Sequence, residues 1–137
     1  LESKELGEMV KPFKIEILRD HVFRKKDPAI VGVEVLAGTI IANSPVTKDG
    51  TKLCTLKSIK DGKDNVHEAI EGKQVAVALT GVTVGRQIEE GDTLLSDIPE
   101  SDFKALKNLK QYLNAKEKEV MRELSEMKRE ENPTWGI

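Results

Sequence analysis

The chain has 137 residues, 38% of them apolar and 34% charged, with a formal net charge of -2. That is enough for one domain with an appendage, and enough apolar content for a core made mainly of Val, Ile, Leu and Ala, because only five residues are aromatic. The charge excludes a diffuse phosphate-binding surface, and no apolar run approaches the roughly 20 residues that span a bilayer.

Leu1 to Val10 carries Leu6, Met9 and Val10 at helical spacing, and Pro12 stops the run. We expect residues 1–11 to be the end of a helix. The opening has neither a start methionine nor the character of a signal peptide, so a fragment is the expectation.

Residues 12–98 read as strands. Phe13, Ile15 and Ile17 alternate with Lys14, Glu16 and Leu18. Ala29 to Leu36 is a nearly continuous apolar strand with Gly32 inside it, and a turn at Gly38 precedes the short run Thr39 to Ala42. Leu53 to Ile59 alternates again. Gln74 to Thr80 carries Val75, Val77 and Leu79 on one side and Ala76 and Ala78 on the other, as in a barrel wall covered from outside. Thr93 to Ser96 is the last strand. Asp49-Gly50, Asp61-Gly62 and Glu90-Gly91 mark turns. Short strands at this spacing predict a mainly β fold, a small barrel or sandwich.

Residues 99–137 read as a helical hairpin. Phe103, Leu106, Leu109 and Leu113 form one stripe behind a Ser101 N-cap. Asn114-x-x-Glu117 resembles a capping box for a second helix with the stripe Val120, Met121, Leu124 and Met127. Asn132-Pro133 ends it. Neither helix is stable alone, so both are expected to pack on the barrel, with Trp135 as an anchor.

Catalytic motifs are missing. Gly62-Lys63 and Gly72-Lys73 lack the glycine five positions earlier and the following Ser or Thr of a phosphate loop. His21 and His67 have no second ligand at metal spacing. Cys54, the one cysteine, has no disulfide partner in the chain and reads as a small buried apolar residue, in keeping with a reduced, cytoplasmic setting. No catalytic residue, cofactor site or metal site is assigned.

The string VFRKKDPAIVGVEVLAGTI at 22–40 resembles the opening of the C-terminal domain IV of archaeal and eukaryotic translation initiation factor 5B, a relative of bacterial initiation factor two. KIEIL at 14–18, LKSI at 56–59, KDNVHEAIEGKQVAVAL at 63–79, VGRQIEEGDTLLSDI at 84–98 and DFKALKNL at 102–109 resemble further family segments in the same order. The resemblance implies a translation-factor domain-II-like β-barrel followed by two helices. It implies a linker helix ending near Val10, and a GTPase domain, with its GTP and magnesium, outside this chain. The implied role is to hold the aminoacylated end of initiator methionyl-tRNA on the ribosome during subunit joining, as a monomer.

Carried over by position, the methionine cleft would involve Phe23, Gly32, Val33, Gln74 and Val75, with Lys60 and Lys63 near the RNA backbone. Val33 and Val75 stand where the bacterial relative carries cysteines, and Gln74 where it carries a glutamate, which puts recognition of a formylated amino acid in doubt. Each position also has a plainer reading. Phe23 and Val33 suit the core, Gly32 a bulge or close backbone approach, and Lys60 and Lys63 a solvated turn. Arg24-Lys25-Lys26 is a second candidate RNA contact. Eukaryotic members receive the tail of initiation factor one A on the helices. Leu124, Met127 and Trp135 would offer that surface, or would be buried against the barrel, the reading preferred here.

Overall fold

A computed structural model describes residues 11–26, 28–48 and 52–136. The alternation at Phe13, Ile15 and Ile17 places all three in the core, in a strand β1 that continues well past the apolar pattern, Phe13–Arg24. β2 is Ala29–Ile41, β3 Ser44–Thr47, β4 Lys52–Asp61, β5 Asp64–Val66, β6 Glu68–Ile70, β7 Gln74–Thr80 and β8 Thr93–Ser96. Antiparallel pairing runs β1-β8-β3-β4-β7-β2 and closes from β2 back to β1, giving a six-stranded barrel. β6 extends β2, and β5 forms a hairpin on β4. Closure leaves the six barrel strands with no open edge. Its interior is filled by residues such as Ile15, Val31, Val33, Leu56, Val77, Leu79 and Leu94.

Gly38 does not separate two strands, as expected from the sequence, but bends one. At φ +71° it lies against the chain where it enters β1, and a Cβ there would meet the Pro12 carbonyl oxygen at 2.1 Å. The first part of β2 pairs with β1 and β7, and the part after the bend pairs with β6. The Gly62 and Gly91 turns are present. Leu1 to Val10 and the turn dipeptide Asp49-Gly50 lie outside the described residues, as does Asp27.

Two helices follow, α1 Glu100–Asn108 and α2 Ala115–Arg129, joined by a 3-10 turn at Lys110–Tyr112. The first is shorter than its stripe predicts, because Leu109 and Leu113 reach the core from the junction rather than from the helix. Its N-cap is Pro99, not Ser101, and no side chain caps it; Glu100 and Asp102 in the first turn face the helix dipole instead. The capping box of α2 is present in both directions. Glu117 N–H donates to Asn114 Oδ1 at 2.8 Å, and Asn114 N–H donates to Glu117 Oε1 at 3.1 Å.

The helices cover β1, β2 and β8. Ala37 and Leu95 point out of the barrel into a second core with Phe103, Leu106, Val120, Met121, Leu124 and Trp135. β8 therefore has apolar neighbours Leu94 and Leu95 on opposite faces, one in each core. The outer face of β7 is covered only in part: outward Ala78 is buried, while outward Ala76 lines a cleft. No described helix is long and apolar enough to cross a membrane.

Candidate nucleic-acid interface

The β1–β2 ladder breaks at one place. Ile17 pairs with Val33 and Val22 with Val31, so Leu18 to His21 bulge out opposite the single residue Gly32. Hydrogen bonds from a distant turn mark where the bulge begins: Ile17 donates to the Asp92 carbonyl and accepts from Gly91 N–H, each at 2.8 Å. Asp20 adopts φ 61° inside the bulge, and its N–H donates to Glu90 Oε2 at 3.2 Å.

Gly32 is required by proximity. A Cβ there would lie 2.8 Å from His21 Cβ, well inside van der Waals contact. Gly32 pairs with Ala76 on β7, and Ala76 pairs with Lys60 on β4. Paired residues share a face, so Gly32 and Ala76 form a floor of small residues on the outside of the barrel. Around it stand Leu18, His21 and Phe23 from β1, Gln74 and Val75 from β7, and Lys60 and Gly62 from the β4–β5 hairpin. The result is a cleft of about 260 Å³.

Five of the seven residues proposed from the sequence meet in this cleft: Phe23, Gly32, Lys60, Gln74 and Val75. Val33 does not. It follows Gly32 in a strand, so its side chain takes the opposite face, and it is fully buried in the barrel core. Lys63 sits exposed in the adjoining turn, outside the cleft lining. His21, Leu18 and Ala76 line the cleft and were not proposed. The polar run Arg19-Asp20-His21, breaking the alternation of β1, is the signal that marks a bulge there.

Phe23 is 65% exposed, the most exposed large apolar residue described, with its ring edge-on to His21 at 6.5 Å. A ring held open to solvent beside small floor residues suits stacking of a base or an apolar side chain. Lys60 is the one cation in the lining. Gln74 Nε2 donates to Glu34 Oε1 at 3.3 Å. The neighbouring concavity combines Arg24 and Lys25 with Asp20 and Glu90, so the basic run from Arg24 is offset by two carboxylates beyond Asp27.

The proposed partner-binding residues are placed differently. Leu124 is fully buried, and Trp135 is 9% exposed, its ring tilted against Phe103 with centroids 4.7 Å apart. Met127 packs at the edge of the same core. The tail is fastened by Arg129 Nε donating to the Trp135 carbonyl at 2.7 Å and Lys107 Nζ to the Gly136 carbonyl at 2.8 Å. These residues hold the helices on the barrel, as the preferred reading had it.

On the outer face of α2, Arg122 bonds Glu119 and Glu126. The Arg122 guanidinium holds the Glu119 carboxyl below its ordinary range, and the two carboxylates raise the Arg122 pKa. Among the described residues no group of three or more His, Cys, Asp or Glu side chains is arranged to hold a metal ion.

Three comparisons bear on this geometry. The model of the family elongation factor Tu domain 4 matches residues 11–95. The chain is 41% identical, over 98% of its length, to a protein of Metallosphaera sedula described as probable translation initiation factor IF-2, and 44% identical over 98% to its counterpart in Ignicoccus hospitalis. It spans 23% and 22% of their lengths. Among solved structures, GDP-bound aIF5B from Aeropyrum pernix superposes with a TM-score of 0.89 at 36% identity, over 98% of this chain and 24% of that one. The family match covers more than half of the sequence and the structural match both the barrel and the helices: the chain belongs to the elongation factor Tu domain 4 family, in the form of the C-terminal domain IV of the IF-2/aIF5B initiation factors.

Proposed function

We propose that this domain binds the aminoacylated acceptor end of initiator methionyl-tRNA on the ribosome and supports subunit joining within a larger GTP-dependent factor. The observation that carries the reading is the outward cleft with an exposed Phe23 above the small-residue floor of Gly32 and Ala76. A single-stranded CCA end is read by stacking and a few polar contacts rather than by a large positive field, which agrees with a net charge of -2. Leu18 and Ala76 offer apolar surface to a thioether, whereas Val75, the ladder partner of Val33, turns its side chain into the barrel core and borders the cleft only through the strand; Lys60 offers a contact for one phosphate.

Spontaneous hydrolysis of the methionyl ester tests this. Saturating domain should slow ester loss from initiator methionyl-tRNA, and Phe23→Ala should remove the protection. Ester loss at the same rate with and without the domain, together with RNA binding indifferent to aminoacylation, excludes the reading.

A second reading, docking of another initiation factor such as factor one A, is favoured by a groove lined by Phe103, Lys107, Lys118, Met121 and Arg122 on the helices. Lys118 on its rim makes no ion pair among the described residues and suits a carboxylate of an acidic segment. Lys118→Glu should weaken such docking and leave ester protection intact; unchanged docking counts against it.

A further inference from the structure

The geometry points to His21 as the residue that reads the free amino group of the aminoacyl ligand, an inference that rests on the function proposed above. His21 Nδ1 lies 2.6 Å from the Arg19 carbonyl oxygen. A carbonyl oxygen only accepts, so Nδ1 carries the proton, and in the neutral ring Nε2 is left as an acceptor. Nε2 has no hydrogen-bond partner among the described residues. The ring lies against Gly32. Its Cβ, Cγ and Cδ2 crowd the space above Gly32, and Phe23 stands edge-on to it at 6.5 Å.

Gln74 supplies a second acceptor. Because its Nε2 is directed to the Glu34 carboxylate at 3.3 Å, its Oε1 is the end left for the cleft, with a negative charge behind it. Lys60, the cation of the lining, stands two strands away from Gly32, about 10 Å across the sheet. The cleft thus offers the His21 acceptor at its β1 edge and a cation at its β4 edge, with Gln74 on β7 between them. The end of an aminoacylated RNA is divided in the same sense: an ammonium rich in N–H donors, and a phosphate anion. Acylating the nitrogen removes its charge and most of its donors, so His21 would favour the free amine over the N-acylated form.

The test is a fluorescence titration of the 137-residue chain with short RNAs ending in CCA. One carries methionine through a stable amide link, one carries N-acetylmethionine, and one is uncharged. The expected result is at least about a tenfold preference for the free amine over the N-acetyl form, the order of one hydrogen bond to a charged group. His21→Phe keeps a ring over Gly32 but has no acceptor, and should narrow the preference to within about twofold; His21→Gln, which retains an acceptor, should restore part of it. His21→Phe that keeps the full preference overturns the assignment, as does wild-type protein that binds the free and acetylated forms equally. If neither charged RNA binds more tightly than the uncharged one, the proposed function falls, and this inference with it.

Discussion

The two outer faces of the barrel are finished in opposite ways. Where α1 and α2 lie, outward Ala37 and Leu95 are covered, and charged groups bridge the join: Lys128 to Asp97 at 2.7 Å, Lys14 to Glu123 at 3.3 Å and Lys116 to Glu71 at 3.0 Å. At the cleft, the floor is made of small residues and is uncovered, Phe23 is open to solvent, and Lys60 makes no ion pair among the described residues. An outward apolar face is covered by the protein's own helices in one place, and a floor of small residues stays open in the other. The contrast teaches that the helices hold the fold together, whereas the cleft side leaves Phe23 and Lys60 exposed, as the proposed function requires.

Substitutions can break this contrast. The largest effect should come from Leu124→Ala, which removes a fully buried side chain under the helices and should cost about 2–5 kcal/mol of stability. Urea denaturation measures it, and a loss below 1 kcal/mol would mean the helices are loosely attached. Gly32→Ala lies on the other face. Its methyl would press on His21 Cβ, part of the strand itself rather than a flexible tip, so a cost of about 1–3 kcal/mol is expected, together with lost ester protection.

Phe23→Ala sharpens the comparison most. An exposed ring contributes little to folding, so stability should change by less than about 0.5 kcal/mol while ligand affinity falls by about 1–3 kcal/mol. Equal losses in both would make Phe23 structural. Asn114→Ala should cost about 1 kcal/mol by opening the capping box, with no effect at the cleft.

The smallest effect concerns Glu119. Its carboxyl is held below its unfolded value by Arg122, so the folded state gains stability above the unfolded carboxylate range and loses it as pH falls through the lowered folded value. The pair is exposed on the helix surface, where solvent screens it, so Arg122→Ala should leave the acid limb of a pH–stability curve almost unmoved.

Much of the fold was legible because its signals are local. Phe13, Ile15 and Ile17 alternate within one strand, and Asn114 and Glu117 carry their cap within one turn. The cleft was legible only in part. Phe23, Gly32 and Gln74 came from resemblance, and Val33 came with them although strand alternation turns it into the core. His21 was passed over because its importance depends on the bulge opposite Gly32, and the bulge begins where Ile17 bonds Gly91 and Asp92, far along the chain.

The strand and helix periodicities, the turns at Gly62 and Gly91 and the apolar stripe of α2 are local properties of the chain, since each depends on neighbours within a few residues. Tertiary structure alone decided that β2 closes on β1, that the helices cover β8 rather than β7, and that Leu124 and Trp135 are anchors rather than a docking surface. It also decided that Gly32, Ala76 and Lys60 form one row. These outcomes follow from contacts between residues distant in the chain, where the same apolar pattern is compatible with more than one partner until closure selects it.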